Sequence, residues 1–201
     1  MQLNAEDGGN RKFIMVQLNA ECTEKSPAYK AGYKTICQIG KERIRRARKK
    51  IQDENGMLAS TIDLGFRVLK LDSSNMKEVY YTPEEYELNM LSMLSDNIKE
   101  DRTPEDLLFQ VMLDLGILLS SKIQVRNEKL EMRNYTYFDV ADGFLIACFD
   151  KDITEELITE IAKKKPYYFV MRDSSMANDN VATNFEQIFA TYSPDTVRKV
   201  L

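Results

Sequence analysis

Histidine and tryptophan are both missing from the 201-residue chain. Without histidine there is no Ser-His-Asp or Cys-His nucleophile, and the commonest metal ligand is gone. Cysteine is scarce: Cys22, Cys37 and Cys148 are odd in number and widely spaced, with no CxxC pair. That pattern excludes a disulfide framework and a zinc ribbon, and reads as reduced thiols of a cytoplasmic protein. No apolar run approaches the roughly 20 residues of a membrane span, and the first residues lack a signal-peptide pattern. Charge of one sign is also wanting. The net value is −4, which gives no global pull toward nucleic acid, so any such contact must be local.

What remains is ordinary for a folded protein, with 43% apolar and 30% charged residues. The stretch DGGNRKFIMVQLNAE, residues 7–21, puts glycines before an apolar run and an acid after it. In open α/β sheets that order marks the end of a helix and the start of a parallel strand. Only MQLNAE stands before it, too little for the strand and loop that should precede such a helix, so the junction is expected to belong to a larger sheet. Residues 13–18 are expected as a strand buried on both faces, residues 28–51 as a helix, and residues 62–71 as a second strand. Together they make one βαβ-like unit with a right-handed crossover. Gly32 and Gly40 weaken the first turns of that helix.

Two Thr-Pro pairs, at Thr82 and Thr103, open acidic helical segments as capping boxes with proline at the first helical position. After Thr103, residues Leu107, Leu108, Val111, Met112, Leu115, Leu118 and Leu119 form a broad apolar face that suits the spine of a second core. Residues 123–132 and 135–140 read as strands joined by a turn at Arg133-Asn134. Asp142-Gly143 signals a hairpin into the buried strand 143–149. Helix 154–164, strand 167–171, helix 182–192 and strand 197–201 complete a small α/β unit.

Four features carry candidate chemistry. Lys41, Arg43, Arg45, Arg46, Arg48, Lys49 and Lys50 crowd one helix beside a single acid, Glu42, and could neutralise several phosphates; a solvated outer face gives the same pattern. The acids Glu84, Glu85, Glu87, Glu100, Asp101, Glu105 and Asp106 lie mostly in first helical turns, where capping and the helix dipole account for them. MRDSS, residues 171–175, follows a strand, a place where α/β folds put ligands, although a turn and cap need the same residue types. Gln17 lies at the end of the first strand, where a polar side chain can bond a ribose.

Specific blocks go further. NAEDGGNRKFIMVQL (residues 4–18), YKTICQIGKERIRRARKKI (33–51) and DLGFRVLKLDSSNMK (63–77) resemble consecutive blocks of the Mod subunit of type III restriction-modification systems. GFLIACFDKDITEELITEIAKKKPYYFVMRDSS (143–175) and NFEQIF (184–189) are similar to the same family's C-terminal end. The resemblance implies a site-specific DNA adenine-N6 methyltransferase that uses S-adenosylmethionine. In that family a Pro-Pro-Tyr catalytic loop and a Gly-x-Gly donor loop come earlier in the chain. Here the five prolines (Pro27, Pro83, Pro104, Pro166, Pro194) are all single and no Gly-x-Gly occurs. The expectation is therefore an α/β protein with a partial methyltransferase (Rossmann-like) sheet segment in residues 1–76. A helical connector occupies 77–121, and a small C-terminal α/β assembly domain 122–201.

Such a stretch is expected to be inactive alone, with no catalytic or metal-binding residue. S-adenosylmethionine would belong to the parent enzyme, with none bound by this fragment beyond a ribose-edge contact at Gln17. The resemblance implies a second Mod copy (a homodimer), the Res subunit and DNA as partners, and no membrane. The alternative is a DNA-phosphate-binding module that uses Arg43, Arg45, Arg46, Arg48 and Lys49 on the helix spanning residues 41–51.

Overall fold

The computed structural model describes residues 1–56, 62–77, 97–130, 133–176 and 179–201. The capping box expected at Thr82 and the acids Glu84, Glu85 and Glu87 lie outside these residues. The chain forms two compact units, residues 1–71 and 72–201.

In the first unit, α1 (Gln2–Asp7) stops at Gly8, whose φ of 67° is the left-handed turn that glycine adopts without strain. Asn4, buried in this helix, fastens the chain that leaves it. Its amide donates to the Arg11 carbonyl at 3.0 Å, and its oxygen accepts from the Arg11 N–H at 3.1 Å. The helix end expected at DGG is thus present. The strand expected over residues 13–18 is not. That segment has no regular secondary structure and no ladder partner, and Ile14, Val16 and Leu18 are 92%, 93% and 84% exposed. Residues 62–71 likewise form no strand; Leu64 is buried while Val68, Leu69 and Leu71 are exposed. The expected βαβ crossover is therefore absent among the described residues. A strand buried on both faces needs neighbours for its backbone groups and a layer on each side. The described part of this unit offers only an isolated bridge, Glu21 to Thr35.

The helix expected over 28–51 forms as two, α2 (Pro27–Lys30) and α3 (Ile36–Asn55). The break comes at Gly32, at φ 94°, and Thr35 restarts the helix through a capping box with Gln38. Gly40 lies inside α3 without interrupting it.

The second unit is a five-stranded sheet in the order β1-β2-β3-β4-β5. Its elements are α4 (Pro104–Asp114), β1 (Ile123–Leu130), β2 (Arg133–Val140), β3 (Leu145–Cys148), α5 (Glu155–Lys163), β4 (Tyr168–Met171), α6 (Asp179–Tyr192) and β5 (Val197–Val200). The first three strands run antiparallel; β3, β4 and β5 are parallel, joined through α5 and α6. The α/β class expected from the sequence is what the molecule has.

Period-two alternation sorts the sheet into two faces. Tyr135, Tyr137, Ile146, Cys148, Phe169 and Met171 face α5 and α6, packing on Leu157, Ile158, Ile161, Phe185 and Phe189. Phe138, Val140, Leu145, Ala147 and Val170 face the other way, onto Leu107, Leu108, Val111 and Met112 of α4. The Leu-rich helix is thus the cover of the sheet's second face. Phe169 and Phe189 are fully buried and stack with ring centroids 5.3 Å apart. Burial of each such side chain contributes on the order of 1.5–3 kcal/mol.

One turn lies elsewhere than expected. Leu130 pairs with Arg133, so Arg133 and Asn134 belong to β2 and the chain reverses before them. Leu130 packs against the core under α5 and α6, which fixes its place in the strand and that of its partner. The Asp142-Gly143 reversal forms as read, through positive φ at Ala141, Asp142 and Gly143 and a 2.7 Å bond from the Gly143 N–H to Asp139 Oδ1.

Candidate nucleic-acid interface

The basic residues are displayed by α3, whose apolar stripe is thin: Ile51 is its one buried residue. At 100° per residue, Lys41, Arg45, Arg48 and Lys49 fall on one stripe, while Arg43, Arg46 and Lys50 lie on the far side from it. The outward members differ in their freedom. Arg46 is tied down, its Nε donating to Glu42 Oε1 at 2.8 Å and a terminal nitrogen to Tyr33 Oη at 3.3 Å. The hydrogen bond to Glu42 raises the Arg46 pKa above its ordinary value, with Tyr33 adding to it. Lys50 lies 3.7 Å from Glu54. Among the described residues, Arg43, Arg45, Arg48 and Lys49 have no carboxylate in salt-bridge range, and all four are exposed. Of the five residues singled out from sequence, the helix therefore presents four as open cations and holds the fifth in an internal pair. Such cations can neutralise phosphates; they carry no means of reading a base by themselves.

Gln17 stands on the exposed irregular segment, and its amide turns back to donate to the Leu18 carbonyl at 3.1 Å. Cys37 Sγ approaches the same stretch, 3.8 Å from the Gln17 carbonyl. No other described side chain hydrogen-bonds Gln17, so a ribose there would meet one amide and open surface.

MRDSS closes a turn. The Asp173 N–H donates to the Leu201 carbonyl at 3.0 Å, and the Ile153 N–H donates to the Ser175 carbonyl at 2.8 Å. The sequential strand order has no reversal point, so the crevice that receives ligands in doubly wound sheets does not arise beside it. The acids behave as caps where they are described. Asp106 accepts from the Thr103 N–H at 2.8 Å, and this bond is the main cause that holds its carboxyl below the ordinary range.

A polar cluster in the second unit carries no signal in the sequence. Tyr137 Oη donates to Glu128 Oε2 at 3.0 Å, and Lys164 Nζ reaches the same carboxylate oxygen at 3.2 Å and the Tyr137 hydroxyl at 2.5 Å. Burial pushes the Tyr137 phenol up, ahead of the opposing pull of Lys164. Burial works against the Lys164 charge, but its bonds to Tyr137 and Glu128 outweigh that and raise its pKa. The cluster ties β1 and β2 to the end of α5. Its members stand 27 and 36 positions apart along the chain, so no local motif announces it.

No family model matches the chain. Curated relatives do. One stretch is 45% identical over 67 residues to the type III restriction-modification enzyme StyLTI Mod subunit of Salmonella typhimurium, covering 33% of this chain and 10% of that protein. Another is 37% identical over 91 residues to the type III restriction-modification enzyme EcoP15I Mod subunit of Escherichia coli, covering 42% of this chain and 14% of that protein. The matched stretches thus span a small part of these relatives' length. Over that part, the chain is related to the Mod subunits of type III restriction-modification enzymes.

Proposed function

We propose that the chain acts as the C-terminal part of a type III DNA adenine-N6 methyltransferase that uses S-adenosylmethionine, inactive by itself and serving subunit assembly in the cytoplasm. The observation that carries this reading is the 45% identity to a Mod subunit. Methylating adenine N6 needs the base flipped from the duplex and its amine held against the donor methyl. The chain has neither a Pro-Pro pair nor a Gly-x-Gly in which backbone could approach the donor. Its own contributions are a buried α/β sheet suited to assembly and a basic helix. In this reading it joins a second Mod copy, the Res subunit and DNA. The test is direct: incubated with labelled S-adenosylmethionine and duplex DNA, the purified chain transfers no methyl group. Calorimetry registers no donor binding. Methyl transfer by the chain unaided overturns the proposal.

A second reading is favoured by the open cations of α3: phosphate binding along a duplex. Each phosphate contact contributes about 0.9 to the slope of log affinity against log salt. The triple variant R45A/R48A/K49A is expected to reduce that slope by roughly 2.7 and to weaken binding uniformly across sequences. Titration of labelled duplex at two salt concentrations checks this; affinity that does not respond to salt removes the role.

A further inference from the structure

We infer that β1 is the pairing edge for a second copy of this chain, docked antiparallel with Asn127 on the two-fold axis and Arg126 opposite the partner's Glu128. The inference deepens the assembly role proposed above and rests on it. β1 is eight residues long, twice the length of the opposite edge strand β5, and it contains no proline or glycine. Among the described residues nothing pairs with its outer side, and Val125 is 53% exposed. A long regular edge of this kind is a template for another strand.

Geometry restricts how a copy can dock. The Ala141 N–H donates to the Lys122 carbonyl at 2.9 Å, which makes 122 and 141 a hydrogen-bonded pair. In an antiparallel ladder such pairs alternate, so Gln124, Arg126, Glu128 and Leu130 turn their backbone groups to β2. Ile123, Val125, Asn127 and Lys129 turn theirs outward. Two copies of β1 can then meet about an axis through a residue, and three central registers are available. An axis through Arg126 sets it against itself, and one through Glu128 does the same to the acid; like charges directly opposite are unfavourable. An axis through Asn127 sets Arg126 against the partner's Glu128 twice over by symmetry. These fall in the non-hydrogen-bonded positions, where facing side chains are closest. Val125 then faces the partner's Lys129, whose apolar stem can cover it.

Both charges are already poised. Lys164 and Tyr137 both hold Glu128 through Oε2, leaving Oε1 without a partner among the described residues. The Arg126 side chain is 52% exposed, donates to Gln124 Oε1 on its own strand and lies 3.9 Å from Asp139, so its pairing with a carboxylate is loose.

The test uses the whole chain with Cys22 and Cys37 changed to serine. Facing Cα atoms in a hydrogen-bonded pair lie about 5.5 Å apart, within reach of a disulfide. Asn127→Cys is therefore expected to give a cross-linked dimer on mild oxidation. Lys129→Cys is not, since the register sets the two copies of that position roughly 14 Å apart. In sedimentation, R126E and E128R should each weaken the dimer about tenfold, and the double variant R126E/E128R should recover it. Thermal melts of these variants separate loss of pairing from loss of fold, given the neighbouring Asp139 and Lys164. A dimer seen by light scattering that resists the N127C cross-link overturns the pairing edge while sparing the assembly role. A chain that stays monomeric at high concentration overturns both.

Discussion

The two units use apolar residues in opposite ways. In residues 1–71, Phe13, Ile14, Met15, Val16 and Leu18 are all exposed, and so is Leu71. In residues 72–201, runs of the same character, such as 145–149 and 169–171, are buried throughout. FIMVQL and FLIACF differ little in composition. They differ in what the described chain brings to them: a pairing strand on each side and a helix on each face for the second, none of these for the first. Hydrophobicity nominates a strand, and neighbours make it one.

Truncation experiments break or sharpen this contrast. The largest effect is expected from Phe169→Ala, which leaves a cavity between β4, Phe185 and Phe189 and should cost about 3–5 kcal/mol in urea unfolding of the second unit. Ile14→Ala and Val16→Ala should change stability by less than about 0.5 kcal/mol, because those side chains already meet water. A cost from them comparable to that of Phe169→Ala would erase the contrast between the units. Between these extremes lies Thr103→Ala, which removes the cap of α4 and should cost about 1 kcal/mol.

The smallest signal is chemical. Burial pushes the Cys148 thiol up to about 12, whereas Cys22 and Cys37 are only half-buried. At neutral pH an alkylating reagent should therefore label Cys22 and Cys37 first and reach Cys148 only on unfolding, as peptide mass mapping can read. Stability carries the same sign. From pH 9.0 to about 12 the unfolded chain loses a proton that folded Cys148 keeps, so stability falls as pH rises through that window. Rapid labelling of Cys148 in the native chain would show its strand to be open.

The second unit was legible because its signals are local and its partners close. Thr103-Pro-Glu-Asp announces a cap, Asp142-Gly143 a reversal, and the period of Leu157, Ile158 and Ile161 a helix face. The Arg133-Asn134 turn misled because turn chemistry competed with the packing of Leu130, and packing won. The strands expected at residues 13–18 and 62–71 misled because periodicity cannot report whether a neighbour exists. The basic stripe on α3 was readable from spacing alone. That Arg46 is spent on Glu42 and Tyr33 while Arg45 and Arg48 stand open was not, because it depends on rotamers and on a tyrosine 13 positions away. The Glu128, Tyr137 and Lys164 cluster had no sequence signal at all.

In the sheet of the second unit every strand lies beside its neighbour in sequence, so no later strand must insert between two earlier ones. During synthesis the hairpin leaves the ribosome first, and each new strand meets a finished edge. Such growth by addition keeps loop closures short and limits the time that sticky intermediates spend exposed, which favours rapid maturation over trapping.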